Sequence, residues 1–178
     1  MKKIFYLLLL VLVQSHCFAQ DIVIGGETGN RPLTWNDFTG KPDKESSHDA
    51  NTYWNIDYSF KGFQYKADTA VFTGLTVKLE FNSKQSWIKK DRQTDALLKH
   101  EQGHFNIGIL CAKELQQTFT STVFFKKDVQ VKINALFGDI MKKYHEMGLQ
   151  YDKETDHSKN KDEQRRWDEL LQGKLAVK

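Results

Sequence analysis

The chain has 178 residues, of which 39% are apolar and 28% charged; this allows one domain with a sizeable core and excludes a disordered polypeptide. Its 26 basic and 23 acidic residues show no clustered basic stripe, which argues against a nucleic-acid partner.

The first segment reads as a leader. Lys2 and Lys3 precede an unbroken apolar run, Ile4 to Val13. A polar stretch and Cys17-Phe18-Ala19 follow, the layout of a secretory signal peptide with cleavage near Ala19. The expected organisation is a signal peptide over 1–19 and a single exported domain over 20–178, periplasmic or extracellular. The apolar run is short for a bilayer span and nothing later replaces it, so no transmembrane segment is expected in the mature form. A lipid anchor on Cys17 is disfavoured by His16, where lipoprotein signals need a small residue. Loss of Lys2 and Lys3 leaves 24 basic and 23 acidic residues, a net charge of +1. Only Cys111 then remains, which excludes an internal disulfide.

In the mature chain, Asp21–Ile24 has the composition of a short strand, and Gly25, Gly26, Gly29 and Pro32 punctuate a loop. Thr34 to Phe38 suits one helical turn capped by Thr34. Gly40 to Asp49 reads as an exposed loop. Trp54, Ile56, Tyr58 and Phe60 alternate with polar residues, the period of a half-buried strand. Phe63 to Val71 continues as a weaker strand after Lys61-Gly62, and Leu75, Val77, Leu79 and Phe81 form a third after Thr73-Gly74. Three strands joined by short turns predict an antiparallel meander.

From about Asp91 the period becomes helical. Leu97, His100/Glu101, His104, Gly108, Cys111 and Leu115 fall on one stripe. A second helix is expected from about Lys126 to Met147, stopped by Gly148. Gln150 to Lys159 reads as a polar loop. A last helix is expected over Asn160–Leu171, with Trp167 and Leu170 inward. The fold class expected is α+β: a small antiparallel β-meander followed by a helix carrying the motif below and further packed helices.

His100-Glu101-Gln102-Gly103-His104 fits H-E-x-x-H. Residues four apart on a helix share a face, so two imidazoles can reach one Zn²⁺. Zinc lowers the pKa of a water to about 7, and the neighbouring glutamate is placed to take and return a proton. Zn²⁺ is therefore the expected cofactor, with His100 and His104 as ligands and Glu101 as general base/acid. A third ligand is needed. The extended motif is absent, because Ile107 and Leu110 stand at its diagnostic positions. His157 is favoured, with Asp152 or Asp156 to orient it; Glu146, His145 and Glu114 are the alternatives. Gly108 and Cys111, on the same face, are small enough to let another element approach the metal.

The chain also resembles a bacterial domain-of-unknown-function family, number 922, whose members are described as predicted secreted zinc-dependent proteases. Four segments carry the resemblance: Trp35-Asn36-Asp37-Phe38-Thr39-Gly40-Lys41-Pro42, Ser86-Trp87, Leu97 to Phe105 around the motif, and Tyr151-Asp152-x-x-Thr155-x-His157 followed by Gln164-x-x-Trp167. The resemblance implies a metal on His100 and His104, Glu101 as acid/base, and a role for the His157 loop, in a zincin-like domain. One departure is Ser158, where the pattern expects glycine. The expected function is a secreted zinc-dependent metallopeptidase acting on a peptide or protein substrate, with strand Leu75–Phe81 as the edge that receives it. Two other readings are a non-catalytic exported zinc-binding module and a hydrolase of cell-wall cross-links or another amide.

Overall fold

The computed structural model describes residues 20–177; the leader expected over 1–19 lies outside the described residues. In chain order the strands before the first long helix are β1 (Gln20–Ile24), β2 (Glu27–Thr28), β3 (Ala50–Asn51), β4 (Trp54–Ser59), β5 (Gly62–Lys66), β6 (Thr69–Thr73), β7 (Thr76–Phe81) and β8 (Trp87–Ile88). Helix α1 (Asp95–Ser121), strand β9 (Phe124–Phe125) and helices α2 (Val129–Thr155) and α3 (Lys161–Ala176) follow. The class is α+β, with several small sheets and three α-helices among the described residues.

The strands do not form the expected meander. β4 pairs directly with β7, antiparallel, with Trp54 opposite Phe81 and Tyr58 opposite Val77. β1 lies parallel on the other edge of β7, with Ile22 opposite Leu79. The main sheet therefore runs β2-β1-β7-β4. The stretch expected as one strand over 63–71 is a hairpin, β5 and β6, which leaves this sheet and joins β9. Its turn is built at Ala67-Asp68, with Ala67 at φ 51°, a sequence without the Gly or Asn that marks such turns. Thr69 Oγ1 steadies it by donating to Lys66 O at 2.7 Å. β7 is thus interior and has no free edge for a substrate strand, which corrects that expectation.

α1 packs across the main sheet and is buried on most of its circumference, as a central helix is. Val77, Leu79 and Phe81 meet it with at most 1% exposure. Gly108 is required there: a Cβ would lie 2.9 Å from Trp54 Cδ2 and 3.1 Å from Leu79 Cδ1. This glycine admits the sheet and not, as expected, an element beside a metal.

α2 runs past Gly148 to Thr155, so the expected stop and the loop after Gln150 are both corrected. Tyr144, Tyr151 and Thr155 continue the buried stripe of Ile133 and Ile140, and Tyr151 and Thr155 are fully buried. That burial outweighs the roughly 1 kcal/mol that a mid-helix glycine costs. The actual stop is three successive residues in the left-handed region, Asp156, His157 and Ser158, with φ 45°, 51° and 78°. L residues adopt this backbone at a cost, so it suits the glycine that the resemblance implies at 158. On α3, Trp167 and Leu171 are buried while Leu170 is 44% exposed, so Leu171 takes the inward place expected of Leu170. Gln164, Trp167 and Leu171 form one stripe.

Candidate functional site

Thr94 opens α1 by accepting from Leu97 N at 3.1 Å. One turn further, His100 and His104 stand on one face, ring centroids 4.9 Å apart and nearly perpendicular. Both Nε2 atoms turn toward the same oxygen, Asp152 Oδ1 on α2, at 3.1 Å from His100 and 2.8 Å from His104. His157, just past the end of α2, brings Nδ1 to 3.4 Å from that oxygen. The donor atoms of His100, Asp152 and His157 all lie within 4.8 Å of one another. Bonds of about 2.0–2.1 Å in tetrahedral geometry place neighbouring donors roughly 3.3 Å apart. The three distances to Asp152 bracket that value.

The electrostatics follow from this convergence. Burial would raise the Asp152 carboxyl, but hydrogen bonds to His100 and His104 and their charges hold it well below the usual carboxylate range. Burial likewise pulls His104 down, and is outweighed by the Asp152 hydrogen bond and the charges of Glu101 and Asp152, which leave it raised.

Glu101 is 3% exposed, and its Oε2 has no hydrogen-bond partner among the described residues. A buried carboxylate oxygen left this way is costly unless a cation or a proton donor joins it. Its backbone carbonyl accepts from Thr52 Oγ1 at 3.3 Å. Gln102, a variable position of the motif, accepts from Leu33 N at 2.7 Å and so ties the N-terminal loop to α1. Gly103 admits Tyr151, whose Cζ would be 2.6 Å from a Cβ there. His100, Glu101, His104, Asp152 and His157 face a cleft of about 450 Å³, walled by 47–54 on one side and by α1 and α2 on the other.

The family model described as "Bacterial protein of unknown function (DUF922)" matches residues 26–158. The chain belongs to this family. No curated protein and no solved structure matches the chain. The DUF922 span covers β2 through the His157 loop and ends before α3.

Within that span the structure brings His100, Glu101, His104 and His157 into one cleft. His145 lines the same cleft from an exposed position on α2, but is not in the converging cluster. Glu146 is exposed beside Lys142, and Glu114 accepts from Lys143 and from Tyr144 Oη, so neither reaches the cluster. Three contributions escape the sequence reading. Asp152 faces the very nitrogens of the two motif histidines, where it was expected only to orient His157. His48, from a loop expected to be merely exposed, packs its ring 4.3 Å from that of His157. Gln164, on α3, meets His100 Nδ1 at 3.0 Å. The available signal was the continuation of the α2 stripe past Gly148, which carries Asp152 inward.

Proposed function

We propose that the protein is an exported zinc-dependent peptidase with a zincin-like centre. The observation that carries this is the convergence of three imidazole nitrogens and one carboxylate beside a buried glutamate with an unpartnered oxygen. The donor set, imidazole nitrogen and carboxylate oxygen, suits Zn²⁺. When bound, zinc supplies Lewis acidity toward a carbonyl and acidifies water at neutral pH.

The chain's own residues do the rest. His100 Nε2, His104 Nε2 and Asp152 would hold the ion. His157 is the further donor, its nitrogen within 4.8 Å of those of His100 and Asp152 and its side chain 39% exposed. Glu101 takes a proton from water in the cleft and returns it to the leaving amine. Because β7 is interior, Ala50–Trp54, which lines the cleft, replaces it as the wall along which an extended peptide lies.

Purified residues 20–178 are expected to retain about one zinc per chain and to cleave denatured protein. Glu101→Gln is expected to keep the metal and to lose at least 100-fold in rate. Equal activity in that variant would remove Glu101 from the mechanism.

A second reading is favoured by the count of donors. If all four side chains bind, the site is closed and the protein is a non-catalytic zinc module. X-ray absorption separates the two: three protein ligands plus water belong to the enzyme, four protein ligands to the module. His157→Ala is expected to retain zinc in the first case and to lose it in the second.

A further inference from the structure

The buried polar groups behind His100 have only one consistent assignment of protons. Tyr151 Oη donates to His100 O at 3.1 Å, so its oxygen is left to accept. Asp168 Oδ1 can only accept. Gln164 Nε2 lies 2.7 Å from Tyr151 Oη and 2.9 Å from Asp168 Oδ1, so both of its protons are taken and the orientation of the amide is fixed. Its Oε1 must then face His100 Nδ1, at 3.0 Å. Thr155 Oγ1 sits 3.5 Å from the same Nδ1, but its hydroxyl donates to Tyr151 O at 2.7 Å, so it too offers only an acceptor. Two acceptors facing Nδ1 require that Nδ1 carry the proton. Nε2 is the nitrogen turned to the cleft, 3.1 Å from Asp152 Oδ1, and a cation bound there would take the place of any proton it shares with that carboxylate.

We infer that Gln164 is a positioning residue for the metal centre, keeping a proton on His100 Nδ1 so that Nε2 is the nitrogen presented to the ion. This rests on the zinc reading above. Lys99 anchors the far end of the chain at Asp168 Oδ2, 2.6 Å away. Tyr151 stacks on the His100 ring at 4.6 Å and 15°, which fixes the ring plane. α3, outside the span matched by the family model, thus contributes to the centre through the buried side chain of Gln164. With the other tautomer, Nε2–H would face the ion's position and Nδ1 would be directed at acceptors. Outer partners of metal-bound histidines typically affect metal affinity by about 10–100-fold.

The test uses ring-¹⁵N NMR of the metal-free protein and zinc affinity by chelator competition. Wild type is expected to show His100 protonated at Nδ1. Gln164→Leu, similar in volume but without an acceptor, is expected to mix the tautomers and to weaken zinc binding about tenfold or more. Gln164→Glu combined with Asp168→Asn keeps an oxygen facing Nδ1 and lets the amide at 168 donate; it is expected to retain the tautomer and affinity within threefold. A wild-type His100 with no proton on Nδ1 overturns the inference, as does a folded Gln164→Leu protein with unchanged Nδ1 protonation and affinity. If Gln164→Leu does not fold, the double variant decides: tautomer retained supports the inference, tautomer lost in a folded protein overturns it. A wild type protonated at Nδ1 that binds no zinc upholds the tautomer assignment and removes the metal reading instead.

Discussion

Asp37 is the residue whose electrostatics are most completely accounted for away from the cleft. It accepts from Arg31 Nη1 at 2.8 Å and Nη2 at 2.6 Å, and from Thr34 N at 2.7 Å. The Arg31 hydrogen bond, aided by Thr34, holds its carboxyl below the usual range against the opposing effect of burial. A depressed carboxyl contributes stability above its unfolded pKa of about 3.9 and loses it as pH falls through the folded value. Asp37→Asn is therefore expected to cost about 2 kcal/mol at pH 7 in urea unfolding, with the difference from wild type shrinking below about pH 4. Cys111 gives a second residue-level prediction. Its thiol is fully buried, and burial pushes it up to about 12. It is expected not to react with a thiol reagent at pH 8 until the protein unfolds, so the rate of labelling in native buffer should track global opening. At this scale His100, Glu101 and His104 were legible, because i,i+4 spacing on a helix is a local property. Asp152 was legible as a residue but not in its role, since its contact with His104 spans 48 positions.

At the scale of elements, the decisive packing event is the seating of α2 against α1. It depends on Gly103, where a side chain would collide with Tyr151. Gly103→Ala is expected to lower stability by about 3 kcal/mol and to weaken zinc binding, because Tyr151 can retreat only by moving the ring stacked on His100. Thermal melts and chelator competition on the same samples check both parts. The helices were legible from their 3.6-residue stripes, but their ends were not. Gly148 has the chemistry of a stop signal and is used as a mid-helix residue facing His104, with a Cβ position 3.9 Å from His104 Nδ1. The β5–β6 hairpin was hidden for the opposite reason. Ala67-Asp68 lacks the Gly or Asn of a strong turn signal, and what holds the turn is partly distant, Lys126 N donating to Asp68 O at 2.8 Å.

For the whole molecule, metal and fold should be linked. Zinc at about 100 times its Kd is expected to add about 2.7 kcal/mol, raising Tm by roughly 5–10 °C, and a chelator should reverse the shift. Failure of any divalent ion to raise Tm would count against the metal reading. α3 should be as necessary as the segment matched by the family model. A chain ending at residue 160 loses the buried Trp167 and Leu171, together about 5 kcal/mol of apolar burial, a sizeable part of a domain's stability. It is expected to show no cooperative melt by circular dichroism.

The amino-acid sequence by itself determined the α+β class, the half-buried strands and the pair of imidazoles flanking a glutamate, because periodicity and one-turn spacing are set by backbone geometry. Only the tertiary structure decided which strands pair, where α2 ends, and that Asp152, His48 and Gln164 gather around the motif. Those outcomes depend on contacts between residues far apart in the chain, whose free energy comes from burial and hydrogen bonds that no local pattern encodes.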